Sequence, residues 1–131
     1  MRWRSIQLRY RYPGAAAAVA ATWLEPLPVV AQPDFRPPAD IYENDGALVV
    51  RAELGGLPEG AFDVQLYQDA LVIEGERPFA LRDGRRFYEV GIRSGPFRLE
   101  VPLPRPVDGS RVDARYDAGI LIVVLPWSGP A

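Results

Sequence analysis

The side chains that carry out most enzymatic chemistry are missing from this sequence. It has no histidine and no cysteine among 131 residues, and every one of its 15 basic residues is arginine. That removes the usual general base, thiolate nucleophiles, the commonest metal ligands and Schiff-base lysines. Carboxylates and guanidiniums remain. The clusters Asp40/Glu43/Asp45 and Glu74/Glu76 have the residue type for paired acids or calcium, but neither has the spacing of a known calcium loop, and both read as solvated faces. Arg115 has the fork geometry to bridge carboxylates bidentately, or it is simply the polar residue of a solvated strand. No catalytic residue, no metal and no cofactor is expected. A formal charge of −2 gives no general case for nucleic acid as a partner.

The elements that position these groups are strands. Val112, Ala114 and Tyr116 alternate with Asp113 and Arg115, Asp117-Ala118-Gly119 supplies turn chemistry, and residues 120–125 form a continuous apolar run. This reads as strand, tight turn and strand, with Gly119 where a short hairpin requires positive φ. A strand apolar on both faces needs cover on each side. Residues 47–54 alternate with Leu48, Val50, Ala52 and Leu54 inward, residues 62–66 and 71–76 are two more strands, and residues 97–101 another, ended by a proline-rich stretch. Phe62, Val64, Leu71, Ile73, Phe97, Leu99, Leu121 and Val123 are the expected core. About eight short strands bounded by turn residues imply an all-β, antiparallel, immunoglobulin-like β-sandwich. Its expected limits are residues 39–126, after an arm and proline-rich linker over 1–38 and before a short tail over 127–131.

The arm has a character of its own. Residues 1–12 alternate arginine with Trp3, Ile6, Leu8, Tyr10 and Tyr12 and contain no acid. This is a basic arm, strand-like or disordered. Segments of that kind bind nucleic acid or anionic lipid, but apolar groups on a mobile arm that meet other subunits or clients are the simpler reading. Trp3, Trp23 and Leu24 are candidates for such client contact. Residues 15–24 favour a short helix, and their length is about half of the roughly 20 residues a membrane span needs. Four arginines ahead of an alanine-rich run imitate a secretory leader, although the run is a weak apolar core and no cleavage site stands out; the cytoplasm is the expected location. Between Asp34 and Arg77 stand ten acids and three arginines, and the sign then reverses up to residue 95. There Phe87-Tyr88-Glu89-Val90 reads as a brief strand inside a long basic loop, a feature that is commonly functional.

Pro38-Ala39-Asp40-Ile41-Tyr42-Glu43, the run from Leu48 to Gly56, Leu71-Val72-Ile73-Glu74-Gly75-Glu76-Arg77, Gly95-Pro96-Phe97 with Leu103-Pro104, and Ala114 followed by Gly119-Ile120-Leu121 occur in this order. Together they resemble the α-crystallin domain of small heat-shock proteins, over about 90 of the 131 residues. Ala118 stands where that family usually has asparagine. The resemblance implies a sandwich that dimerises by exchanging a strand of the long loop into a partner's sheet, here Arg85, Arg86, Phe87, Tyr88, Glu89 and Val90. It also implies an ATP-independent holdase of the stress response, which binds exposed apolar segments of unfolding proteins and needs no catalytic residue.

Members of that family usually carry an Ile-x-Ile motif after the domain, which docks between two edge strands of a neighbour. Trp127-Ser128-Gly129-Pro130-Ala131 contains none, which places oligomers larger than a dimer in question by that route. Leu27-Pro28-Val29 has similar chemistry, so Leu27 and Val29 are candidate ligands for a groove lined by Val64, Leu66, Val112 and Ala114. An ordinary proline-rich linker is the plainer alternative. The expected partners are a second copy of the chain and unfolding clients, with no nucleic acid and no membrane span. The competing functional reading is a non-chaperone adaptor with the same sandwich, as in CS-domain co-chaperones.

Overall fold

Two dipeptides with left-handed backbone set the register of the larger sheet. Asp45 and Gly46 have φ of 52° and 77°, and Ala118 and Gly119 have 52° and 82°. Positive φ at both central residues is the twist that lets a two-residue loop join right-handed strands. The second turn is held by its surroundings: Leu54 N–H donates to the Gly119 carbonyl at 2.7 Å, and a Cβ at position 119 would lie 3.2 Å from the Gly55 Cα.

The structure, a computed structural model, describes residues 4–5, 8–11, 35–58, 60–78 and 86–129. In chain order the strands are β1 (Arg4–Ser5), β2 (Leu8–Arg11), β3 (Ala39–Asn44), β4 (Ala47–Glu53), β5 (Phe62–Tyr67), β6 (Ala70–Arg77), β7 (Gly95–Pro102), β8 (Asp113–Asp117) and β9 (Ile120–Pro126). They form a five-stranded sheet, β1-β8-β9-β4-β3, and a four-stranded sheet, β2-β5-β6-β7. Pairing between neighbours is antiparallel except for β2 with β5. The β-sandwich expected from the alternating pattern is therefore the fold. Among the described residues there is no α-helix, and no helix long and apolar enough to cross a membrane.

The core lies between the sheets. Leu48, Val50, Ala52 and Leu54 face Val64, Leu66, Leu71, Ile73, Phe97, Leu99 and Val101, with Leu121, Val123 and Leu125 of β9 closing the layer. Fully burying each such side chain is worth about 1.5–3 kcal/mol. All the expected core residues are buried except Phe62, which is half-buried against the same cluster. Two residues from outside the expected domain join it. Phe35 packs on Phe97 with ring centroids 5.5 Å apart. Trp127 is buried under the Arg105 guanidinium, 4.3 Å from its ring centroid.

Three sequence expectations stand differently against these elements. β3, which period-2 reading passed over, is a full strand paired with β4 along its whole length. The segment Phe87-Tyr88-Glu89-Val90 is not a strand: residues 86–94 carry no regular structure. A strand exists only as part of a ladder, and among the described residues this segment joins none. The helix expected over 15–24 falls outside the described residues.

Candidate functional site

The sandwich has two sides of interest, one where the N-terminal strands pair with β8 and β5 and one where the larger sheet ends at β3. On the first side stand β5 and β8, which carry the groove residues proposed from sequence. Val64 and Leu66 project inward from β5 opposite Ile73 and Leu71, and Ala114 projects inward from β8 opposite Val123. All three are buried, and Val112 packs half-buried against the same core. The structure thus joins the four predicted groove residues to one cluster. Beside them Leu66, Tyr67, Pro106, Val107, Gly109 and Ser110 line an open depression of about 530 Å³.

The backbone of the N-terminal arm reaches both edges. Arg4 and Ser5 pair antiparallel with Tyr116 and Arg115 of β8, while residues 8 to 11 run parallel to Val64, Gln65, Leu66 and Tyr67 of β5. Three residue steps separate Ser5 from Leu8, at most about 11 Å of chain. That matches the about 10 Å between packed sheets, so the two edges face one another across a single layer. Leu27 and Val29, the ligand candidates, and Trp3, Trp23 and Leu24, the client-contact candidates, lie outside the described residues.

Tyr116 ties β8 to the body. Its hydroxyl donates to the Leu54 carbonyl at 2.6 Å, and its ring lies 5.2 Å from that of Phe62. Burial, and then the negative charge of Glu53, raise the Tyr116 pKa above 10.0. A raised phenol pKa means that the folded chain holds this proton more tightly than the unfolded one. The stabilisation is complete below about pH 10 and fades as pH climbs through the folded value. Tyr116→Phe is expected to lower stability by about 1 kcal/mol at pH 7 and to flatten part of the alkaline decline. Urea unfolding at pH 7 and pH 11 checks both.

Arg115, on the neighbouring position, bonds Asp113 of its own strand at 2.7 Å. It sits at the end of the sheet away from β3. Of the acidic clusters, Asp40 lies 3.8 Å from Arg51 across the β3–β4 ladder. Glu74 accepts from Gln65 Nε2 and from Arg98, each at 2.8 Å, and Tyr67 donates to Gln65 at 3.0 Å. This chain of bonds fixes the outer face of the four-stranded sheet. Among the described residues no three His, Cys, Asp or Glu side chains are grouped to hold a metal.

On the second side the five-stranded sheet ends, among the described residues, at β3, which pairs with β4. Five of its six residues are exposed, including Ile41 and Tyr42. The loop before β7 is more exposed still. Tyr88, Val90 and Ile92 have relative exposures of 96%, 60% and 76%. Their spacing is that of one face of an extended strand. Sequence reading ended this segment at Val90 and missed Ile92, although the period-2 pattern runs on to it across Gly91. The end of the loop is anchored: Arg77 donates to the Arg93 carbonyl at 3.0 Å, lies 3.9 Å from Glu53, and stacks 5.3 Å from the Phe35 ring centroid. Arg86, Phe87 and Glu89 are described and exposed, and Arg85 falls outside the described residues. Chemically, the described residues offer here a sheet edge at β3 and an exposed apolar row at Tyr88, Val90 and Ile92. Together they are suited to adding strands and burying apolar surface.

Residues 40–131 match the Hsp20/alpha crystallin family. The chain is 31% identical over 94 residues to a probable 15 kDa heat shock protein of Leptospira interrogans, covering 72% of each. It is 33% identical over 95 residues to spore protein SP21 of Stigmatella aurantiaca, covering 72% of this chain but only 56% of that protein. Among solved structures it superposes on a small heat-shock protein from Xylella fastidiosa, described as having a distinct high order structure. There the TM-score is 0.64 at 27% identity, over 72% of this chain and 88% of that one.

Proposed function

Because the chain belongs to the Hsp20/alpha crystallin family, we propose that it is an ATP-independent holdase that binds unfolding proteins and keeps them from aggregating. The observations that carry this reading are the exposed row Tyr88, Val90 and Ile92 and the edge position of β3, which pairs among the described residues with β4 alone. Apolar side chains at strand spacing, held in water on a loop whose end is tied to Arg77, serve association and have no use in catalysis. In this reading residues 87–92 pair as an extended strand with the β3 edge of a second copy and build a dimer. Burying the three side chains and capping the edge supply the affinity. The residues before 39 then act as an arm on a sandwich domain.

The test is light scattering from an unrelated, heat-labile protein warmed without nucleotide. At a stoichiometric ratio the chain is expected to suppress most of the scattering, equally with and without added ATP. Unaltered scattering at that ratio would favour the adaptor reading, in which the same sandwich joins folded partners.

A further inference from the structure

Where the lead-in to β3, the ends of β4 and β6 and the loop before β7 meet, they form an open cleft of about 420 Å³. We propose that this cleft binds a small organic phosphate. Its phosphoryl group lies among the guanidiniums of Arg36, Arg77 and Arg93, and its apolar body rests against Phe35, Pro38 and Ile92. The volume is that of a small-molecule site, and apolar walls with a few converging charged groups are the usual lining of one.

Charge is the first support. The three arginines share the cleft with a single acid, Glu53. That carboxylate is engaged elsewhere, since its Oε1 accepts from the Gly55 N–H at 2.7 Å and its Oε2 reaches Arg77 only at 3.9 Å. Among the described residues Arg36 and Arg93 have no ion-pair partner. A chain of net charge −2 thus gathers a local positive excess at one concave point. Guanidinium forks match phosphate oxygens bidentately, which a lone ammonium cannot do.

Arg77 is the second support. Its side chain is only 12% exposed. One of its terminal nitrogens donates to the Arg93 carbonyl at 3.0 Å, and its Nε is buried without a hydrogen-bond partner. Buried donors left unmatched are rare and costly. This guanidinium is short of acceptors within its own chain, and an anion in the adjoining cleft supplies them.

Rigidity is the third. Phe35 is bonded to β7 on both sides, its N–H donating to the Pro96 carbonyl at 3.4 Å and its carbonyl accepting from the Arg98 N–H at 3.2 Å. The Glu53 N–H donates to the Pro38 carbonyl at 2.9 Å, and Arg77 stacks 5.3 Å from the Phe35 ring centroid. The aromatic wall and the buried cation are therefore in place before a ligand arrives, which lowers the entropy lost on binding. Phe35, Arg36 and Arg77 belong to the sandwich body, so the proposal rests on neither the dimer nor the holdase reading.

Titration of the full-length chain with phenyl phosphate at pH 8, where the phosphate is a dianion, decides it, followed by the backbone amide signals in NMR. Saturable binding is expected with a dissociation constant below about 1 mM in low salt, and with shifts centred on residues 35–38, 77 and 91–93. Inorganic phosphate, which lacks the apolar body, and benzoate, which lacks one charge and one oxygen, are each expected to bind about tenfold more weakly or worse. Arg36→Gln/Arg93→Gln changes two exposed side chains and is expected to weaken phenyl phosphate about 30-fold. Arg51→Gln/Arg111→Gln removes the same charge outside the cleft and is expected to stay within about threefold. No saturation by phenyl phosphate at about 10 mM overturns the proposal. So does equal weakening in the two double variants, which would show a diffuse attraction to charge. Inorganic phosphate, benzoate or phenol binding as tightly as phenyl phosphate would overturn it as well.

Discussion

Gly75→Ala is expected to lower the melting temperature of the chain by about 10 °C or more. A Cβ at position 75 would lie 2.2 Å from the Ala61 carbonyl oxygen, 2.8 Å from the Phe62 Cα and 2.9 Å from the Phe62 Cβ. Those atoms cannot swing away as the tip of a side chain would. Phe62 is the register partner of Gly75 in the β5–β6 ladder, and the Ala61 carbonyl already accepts from the Glu76 N–H at 3.2 Å. Relief requires prising β5 off β6 in the middle of the smaller sheet, at a cost of about 3 kcal/mol. For a domain of this size each kcal/mol moves the midpoint by about 3–5 °C. Gly91→Ala is the control. Its nearest neighbour is a flexible Glu89 carboxylate at 3.8 Å and its φ is ordinary, so the change is expected to stay within about 0.5 kcal/mol. Thermal unfolding followed by circular dichroism compares the two. A Gly75→Ala chain melting within 2 °C of the parent would show that β5 and β6 are not packed as described.

The second large effect concerns assembly. Tyr88→Ser/Val90→Ser/Ile92→Ser removes the exposed apolar face of the loop and leaves the core untouched, because none of the three belongs to the buried cluster. If residues 87–92 cap the β3 edge of a second copy, the loss of three partly buried side chains is worth about 3 kcal/mol or more. The dimer dissociation constant then rises at least 100-fold. Native mass measured across a dilution series is expected to shift from dimer to monomer, with melting of the monomeric sandwich unchanged. A variant that dimerises as tightly as the parent would place the interface elsewhere.

Much of this architecture was legible in the residue pattern, and what escaped did so for physical reasons. β5, β7 and β8 alternate apolar and polar residues because one face of each packs in the core, so period 2 finds them directly, while β9 shows as a short continuous apolar run after a turn. β3 escaped because Ala-Asp-Ile-Tyr-Glu-Asn is an exposed edge with little apolar content. Its signal was the Asp45-Gly46 turn, which folds the chain back along β4. Trp127 reads as tail when strands are ended at proline, yet it continues the inward series Leu121, Val123 and Leu125, and the structure buries it with them. The arm's alternation suggests a strand, but which edge a strand joins depends on partners far away in the chain. That the arm spans β8 and β5 became visible only once both edges had been brought to the same side.

In the proposed function this chain holds unfolding clients through accessible apolar surface. The most direct measurement is the native mass of the soluble fraction after a heat-labile client is warmed with the full chain without nucleotide. Soluble complexes containing both proteins are expected, and they disappear when Tyr88, Val90 and Ile92 are all serine. Client found wholly in the pellet, with the chain left free in solution at its original mass, would contradict it.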